Sequence, residues 1–190
     1  MESKSHSSSL DFYITPEHEC PYLPEKQSQT VFLNPEIEPQ ISIYQWLIER
    51  GFRRSGEHIY RPQCQNCNAC ISIRISPKTF KPNKQQRRCA RKGKHFSTRV
   101  RIAEFDQEHY QLFESYINAR HQDGDMYPTS EKQYKDFVLS DWSNSQFLDF
   151  IDPVTSSLIA CCVFDRLDNG LSAIYTFFDV KYSKFSSPNI

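Results

Sequence analysis

The stretch QFLDFIDPVTSSLIACCVFDRLDNGLSAIYTFFD, residues 146–179, decides how the second half of this chain folds. It contains three apolar runs of strand length: 146–151, 157–165 and 171–179. Asp152-Pro153 separates the first two runs, and Asn169-Gly170, a strong hairpin signal, separates the last two. The stretch therefore predicts an antiparallel meander of three strands.

Two amphipathic helices and one more strand are predicted before the meander. Residues 99–105 alternate between polar and apolar side chains, as a half-buried strand does. Asp106 is a suitable N-cap for a helix, and the apolar face of that helix is formed by Tyr110, Phe113, Tyr116 and Ile117. Ser130 and Gln133 form the capping pattern of a second helix. Residues 96–190 are therefore predicted to form a domain of the α+β class.

The first half of the chain has a different character. Residues 1–11 are mostly polar and rich in serine, which predicts a disordered tail. Residues 12–38 contain four prolines, which favours loops and short strands over a helix. Residues 42–50 have helical apolar spacing, with Ser42 as the starting cap and Gly51 at the end.

An alternating segment follows in the same half. Ile71, Ile73 and Ile75 alternate with polar residues, which predicts a half-buried strand with Arg74 on its polar side. We expect residues 12–95 to form a small N-terminal domain that contains the cysteines discussed below. We expect its core to include Trp46, Phe52 and Ile73.

Charge is distributed very unevenly along the chain. Residues 50–101 hold fifteen of the 23 Lys and Arg residues and a single acid, Glu57, so the formal net charge of zero conceals a basic segment. A solvated surface is the simplest interpretation of a basic run, but an ordered one that contains a cysteine cluster favours a polyanionic partner. Clustered cations bind phosphates by releasing counterions. The predicted phosphate contacts are Arg53, Arg54, Lys84, Arg87, Arg88 and Arg91, the last four in a basic helical arm at 84–94.

Three of the seven cysteines are regularly spaced. Cys64, Cys67 and Cys70 are each separated by two residues, a spacing that can wrap thiolates around a soft metal ion. Cys20, next to Pro21, is the natural candidate for a fourth ligand. A zinc or iron–sulfur site and a set of reduced, partly buried thiols are both compatible with this spacing. The other three cysteines, Cys89, Cys161 and Cys162, are interpreted as structural.

Composition excludes some classes of protein. No signal peptide is visible, and the longest strongly apolar run, 158–164, is too short to cross a bilayer. We therefore expect a soluble cytoplasmic protein without a membrane partner. Five glycines leave little room for a glycine-rich phosphate loop.

Several short stretches occur in a characteristic order along residues 12–182. They are Cys20-Pro21-Tyr22-Leu23, Leu47-Ile48, the run 50–56, Tyr60-Arg61-Pro62, the three spaced cysteines, the run 72–75, Tyr116, Arg120-His121, Gly124-Asp125-Met126 and the run 171–179. Together they resemble the aminoacyl-tRNA–protein transferases, and most of all the bacterial leucyl-tRNA–protein transferases that modify N-terminal Asp and Glu.

This resemblance implies an N-terminal domain with a cysteine site, followed by an acyltransferase domain of the acetyltransferase-like (GNAT-type) fold. It implies transfer of leucine from leucyl-tRNA to proteins that begin with Asp or Glu, which marks them for N-end-rule degradation. The partners would be tRNA and protein, not DNA. The eukaryotic relatives transfer arginine, and composition does not choose between the two amino acids. The chemistry requires no cofactor. The resemblance leaves undecided whether Cys20, Cys64, Cys67 and Cys70 bind zinc, an iron–sulfur cluster or no metal.

The chain departs from the family pattern at its end. After Phe178-Asp179 the family continues with a glycine-bearing turn, a helix and further strands, whereas residues 182–190 read YSKFSSPNI. We therefore expect a partial acyltransferase domain with weak or absent activity. A non-catalytic, metal-stabilised RNA-binding module is the alternative. An acetyl-CoA-dependent acetyltransferase is disfavoured, because no glycine follows Gly170 to form a pyrophosphate loop.

The implied reaction is aminolysis of an activated ester, which needs positioning and oxyanion stabilisation but no protein nucleophile. The candidate bases are His121, Asp123 and Asp125. Tyr175 and Thr176 lie on the strand that should form the floor of the site. Arg74 or Arg120 would recognise the acidic N-terminus. A helix-end cap for His121, and core packing for Tyr175 and Thr176, are the alternative interpretations.

Overall fold

The computed structural model describes residues 9–185, with side chains as far as Ser183. The chain divides into two compact units, the first ending at Ile73 and the second beginning at Arg74. We expected a boundary near residue 95. By their contacts, residues 74–95 belong with the second unit, because the basic helix that they contain packs on the final 3-10 helix. Of the predicted tail, residues 1–8 lie outside the described residues.

The first unit is built on a four-stranded antiparallel sheet of order β1-β4-β6-β5, beside a two-stranded β2–β3 ribbon. Its elements are β1 (Phe12–Ile14), β2 (His18–Glu19), β3 (Gln27–Ser28), β4 (Thr30–Leu33), α1 (Ile41–Ile48), β5 (Arg53–Ser55) and β6 (His58–Pro62). Short strands and loops in the proline-containing region are confirmed. The buried apolar side chains are Leu33, Tyr44, Leu47, Phe52 and Ile59. Burial of each such Leu or Ile side chain contributes roughly 1.5–3 kcal/mol to the free energy of unfolding.

Helix α1 ends as predicted but begins differently. Gly51 has φ +83°, and its N–H donates to the Ile48 carbonyl, while the Phe52 N–H donates to the Leu47 carbonyl. This pair of bonds is a Schellman cap, which favours glycine at the left-handed position. The start predicted at Ser42 is wrong, because Gln40 is the N-cap and its side chain makes no capping hydrogen bond.

Two expectations about buried side chains in the predicted N-terminal domain are wrong. Ile71, Ile73 and Ile75 form no strand and are 75%, 84% and 62% exposed. No regular element is formed from residue 63 to residue 83, so the alternating pattern has no neighbouring strand to pair with. Trp46 is 47% exposed, because Tyr44 and Leu47 take the buried face of α1. Of the three expected core residues, only Phe52 is buried.

The second unit has the predicted α+β architecture. Its elements are α2 (Lys84–Gly93), β7 (Ser97–Ile102), α3 (Gln107–Arg120), α4 (Glu131–Val138), β8 (Ser145–Ile151), β9 (Leu158–Leu167), β10 (Gly170–Phe178) and a 3-10 helix (Val180–Phe185). The strands form an antiparallel sheet of order β10-β9-β8-β7, so the meander and its hairpin turn are confirmed. The caps predicted at Asp106 and Ser130 are also confirmed. The acetyltransferase-like assignment stays a prediction.

The core of the second unit lies between α3, α4 and the sheet. Phe113, Ile117, Tyr134, Phe147 and Phe177 are completely buried there. Phe113 meets Phe177 edge-on at a centroid distance of 5.5 Å, and aromatic pairs of this geometry add to the free energy gained by burial. This packing holds α3 on strands β9 and β10. No helix among residues 9–185 has the length and apolar character needed to cross a membrane.

Candidate functional site

The last turns of α3 lie against β10 and form an aromatic site. A register shift between Ala173 and Tyr175 changes the alternation of β10, and Tyr175 then shares the core-facing side with Phe177. Tyr175 packs edge-on against Phe137 at 5.0 Å. Thr176 is exposed on the opposite side of the strand. The bulge therefore sets which residues of β10 face α3, and ordinary alternation then places Tyr175 on that side and Thr176 on the other.

Tyr116 is the centre of this site. Its ring centroid lies 5.3 Å from that of His121, 6.3 Å from that of Tyr175 and 5.0 Å from that of Phe178. The Tyr116 hydroxyl oxygen is 3.4 Å from His121 Nε2. Burial raises the pKa of Tyr175 to about 12, and the neighbouring Tyr116 adds to the shift. Tyr175 therefore keeps its proton at neutral pH and can donate a hydrogen bond.

Some of the predicted catalytic residues contact one aromatic ring, and for the others the structure shows no such contact. His121 and Tyr175 meet around Tyr116, and the guanidinium carbon of Arg120 lies 5.9 Å from the Phe178 ring centroid. Asp123 and Asp125 are exposed in the turn after α3. Sequence reasoning assigns no catalytic role to Tyr116. Its place one helical turn before Arg120 and His121 is the signal that marks it as a site residue.

This arrangement combines groups suited to acyl transfer. An exposed imidazole can accept a proton from an attacking amine. Phenolic hydroxyls can donate hydrogen bonds to a developing oxyanion. Arg120, adjacent in sequence to His121, can bind a carboxylate. Arg74 is exposed in the irregular segment 63–83, and nothing in the structure associates it with this site.

The four predicted metal ligands line one cleft in the first unit. Its volume is about 610 Å³, and its walls include Arg53 and Tyr60 as well as Cys20, Cys64, Cys67 and Cys70. The thiol of Cys64 donates weakly to the Ser28 hydroxyl at 3.7 Å. The β2–β3 ribbon carries Cys20 to the cleft, and the chain after β6 supplies the other three.

The four cysteines line one cleft, but no three of their sulfur atoms form a compact group of metal ligands. A tetrahedral zinc with bonds of about 2.3 Å needs sulfurs about 3.8 Å apart. Among residues 9–185, one group of three possible metal ligands has its ligand atoms within 4.8 Å of one another. It consists of His109, Asp149 and Cys161. That buried group contacts the guanidinium of Arg101, so it is a poor cation site. Burial, followed by the charge of Asp149, raises the pKa of Cys161 and keeps it a thiol.

Two of the predicted phosphate contacts are used inside the first unit. Arg54 is 4% exposed and donates to the Gly56 carbonyl at 2.9 Å, so its guanidinium is not available at the surface. Arg53 lines the cysteine cleft and hydrogen-bonds to the Tyr60 side chain. Burial raises the pKa of Tyr60, and Arg53 partly offsets that effect.

The basic arm is confirmed as helix α2, which begins with a capping box between Asn83 and Gln86. Cys89 and Gly93 are half-buried, and the other residues of α2 are exposed. At 100° per residue, four cations project within about 100° of one another on the side away from Cys89. They are Lys84, Arg87, Arg88 and Arg91. We name these four residues the α2 cation stripe.

Comparison with known proteins identifies the class. The family model for the N-terminal part of arginine-tRNA-protein transferase matches residues 18–88, and the model for its C-terminal part matches residues 108–188. The chain therefore belongs to the aminoacyl-tRNA–protein transferase family, whose partner classes are tRNA and protein. It is an aminoacyltransferase by family.

The relatives are more specific. The chain is 44% identical to the aspartate/glutamate leucyltransferase of Hahella chejuensis, over 95% of this chain and 76% of that protein. It is 44% identical to the protein of the same name from Saccharophagus degradans, over 93% of this chain and 75% of the relative. The protein of the same name from Teredinibacter turnerae is 45% identical to this chain, over 93% of this chain and 72% of that protein.

Proposed function

We propose that this protein transfers leucine from leucyl-tRNA to the α-amine of proteins that begin with Asp or Glu. The observation that carries this proposal is the 44% identity to an aspartate/glutamate leucyltransferase over 95% of the chain. The aromatic site between α3 and β10 supports it, because acyl transfer from an activated ester needs donors and a base but no nucleophile. Arginine transfer is the second candidate, favoured by the name of the family model.

The proposed step is one aminolysis. The α-nitrogen attacks the ester carbon, the new C–N bond forms, and the C–O bond to the tRNA ribose breaks. His121 accepts a proton from the attacking amine, and the ribose oxygen leaves with a proton. The hydroxyls of Tyr116 and Tyr175 donate to the oxyanion of the tetrahedral intermediate. Arg120 binds the carboxylate of the acidic N-terminal side chain.

The transfer assay tests the function and the base together. The protein is incubated with labelled leucyl-tRNA or arginyl-tRNA and a peptide that begins with Asp, and with the same peptide beginning with Ala as control. We expect leucine on the Asp peptide alone. His121→Ala should lower the rate about 100-fold, the usual contribution of a general base. Arg120→Gln should raise KM for the Asp peptide without changing tRNA affinity.

The exposed Asp123 provides the matched control in this assay, because Asp123→Ala should leave the rate unchanged. A large loss in Asp123→Ala with normal rates in His121→Ala would transfer the role of base to the carboxylate. Transfer of arginine in preference to leucine would establish the second candidate.

We further propose that Cys20, Cys64, Cys67 and Cys70 hold one zinc ion or iron–sulfur cluster after a local closure of the cleft. Thiolates are the ligands that both groups require, and all four line the same cleft. Protein purified anaerobically should carry metal by elemental analysis, and Cys64→Ser and Cys67→Ser should lose it. Cys162→Ser, on strand β9, should keep it. Metal-free wild-type protein from zinc- and iron-supplemented cells would exclude this site.

A further inference from the structure

A second surface of the first unit combines an exposed aromatic ring with ordered arginines. Trp46 is 47% exposed, although the guanidinium carbon of Arg50 lies only 3.7 Å from the centroid of its ring. Since Arg50 occupies one face, the remaining exposure belongs to the rest of the indole. Tyr44 and Leu47 form the buried side of α1, so Trp46 is not needed to fill the core.

Hydrogen bonds hold the arginines of this surface in place. Arg50 Nη1 donates to the Trp46 carbonyl at 2.9 Å, one turn back along α1. Arg61 Nη1 donates to the Arg50 carbonyl at 3.0 Å, and its Nη2 donates to Gln63 Oε1 at 2.9 Å. The guanidinium carbon of Arg61 lies 5.0 Å from the Phe52 ring centroid. The surface is therefore ordered in advance, which reduces the entropy lost on binding a ligand.

We propose that Trp46 and Arg50 form a stacking platform for an unpaired base of the tRNA substrate, with Arg61 beside it for the adjoining phosphate. This inference rests on the proposed function only in taking tRNA as the ligand. Proteins recognise single-stranded RNA by stacking bases on aromatic rings and arginine planes, next to cations that follow the backbone. Every tRNA ends in an unpaired CCA, so the ligand offers bases of this kind.

The platform differs in chemistry from the α2 cation stripe. The stripe presents four exposed cations on a helix that contains no aromatic residue, a surface for phosphates. The Trp46 platform presents a π-face, which phosphates do not use. Charge removal on α2 should therefore change the salt dependence of tRNA binding, whereas removal of the Trp46 ring should lower affinity at every salt concentration.

The two tryptophans of the chain, Trp46 and Trp142, make the test direct. Trp142→Phe leaves Trp46 as the only indole, and the single-stranded trinucleotide CCA is then titrated while indole fluorescence is recorded. We expect saturable quenching. Trp46→Phe retains Trp142 as its only indole, and the trinucleotide should quench its fluorescence little or not at all. If Trp142→Phe folds poorly, comparison of Trp46→Phe with the wild-type protein still tests the proposal.

Affinity for whole tRNA supplies the second measurement. Trp46→Ala should weaken binding about tenfold or more with an unchanged salt slope, and Trp46→Phe should retain most of the affinity. Circular dichroism confirms that each variant is folded. Absent quenching by CCA, with tRNA still bound through the α2 cation stripe, would overturn the platform and leave the proposed function standing. Failure of the wild-type protein to bind any tRNA would overturn both.

Discussion

Replacing Asp149 by alanine should lower the free energy of unfolding by about 1–3 kcal/mol, because it leaves the buried His109 without its hydrogen-bond acceptor. The lost ion pairs with Arg99 and Arg101 add less, since both arginines are partly exposed. Asp149 on β8 is completely buried. Its Oδ2 accepts from Arg99 Nη2 at 3.0 Å, and its Oδ1 lies 2.7 Å from His109 Nε2. The guanidinium of Arg101 contacts His109 Nδ1 at 2.8 Å and can only donate, so the neutral imidazole donates its Nε2 proton to Asp149.

The measurement is urea unfolding followed by circular dichroism, with Asp136→Ala as control. Asp136 forms an exposed ion pair with Lys132 on α4, and exposed pairs contribute little to stability. A loss in Asp149→Ala no larger than that in the control would show that the second unit does not depend on this network. Asp149→Asn keeps the size of the side chain and should fall between the two.

The same network predicts how stability depends on pH. Burial acts to raise the pKa of Asp149, but the hydrogen bonds from His109 and Arg99 outweigh it, so the pKa lies below its ordinary value. A carboxylate with a lowered pKa in the folded state contributes stability above its unfolded pKa of about 3.9. That contribution is lost as the pH falls through the folded value. The wild-type protein should therefore lose stability below about pH 4 more steeply than Asp149→Asn.

The elements that could be predicted from the sequence carry their signals locally. Asp106 caps α3 through its own side chain, and Asn169-Gly170 forms the hairpin turn between β9 and β10. The segment at Ile71–Ile73 shows the limit of such reasoning. Alternation describes only how a strand is half-buried, and a strand also needs a neighbour, which the local sequence does not specify.

The candidate site could likewise be predicted only where its signals are local in the sequence. His121 and Tyr175 come from motifs that the sequence displays, whereas their meeting at Tyr116 depends on a bulge in β10 that no residue pattern announces. The burial of Asp149 could have been predicted from the sequence. It stands two residues after Phe147 in β8, so strand alternation places this acid on the core side with that ring. A buried acid implies partners, but their identity comes from β7 and α3, which are distant in sequence.

Reversing Arg87 and Arg88 to glutamate should weaken tRNA binding at least tenfold at low salt and flatten its salt dependence. Both residues belong to the α2 cation stripe and are exposed on a helix that carries no acid. For each cation that no longer binds a phosphate, the slope of log affinity against log salt should fall by about 0.9. Reversal adds repulsion to the missing attraction, so the effect exceeds that of alanine substitutions. Binding is measured by fluorescence anisotropy of labelled tRNA between about 50 and 200 mM salt, concentrations at which such differences are large.

A change of overall charge has to be separated from the removal of particular phosphate-binding groups. Reversal of Lys132 and Lys135 on α4 makes the same change in formal charge, but these lysines already pair with Asp136 and Glu131 on their own helix. If the α2 cation stripe binds phosphates, this control should retain the wild-type salt slope, while the slope of the α2 variant should fall by the equivalent of about two phosphates. Equal decreases in both variants would mean that affinity follows net charge alone. An unchanged slope in the α2 variant would remove α2 from the RNA interface, because counterion release follows the cations that touch phosphate and no others.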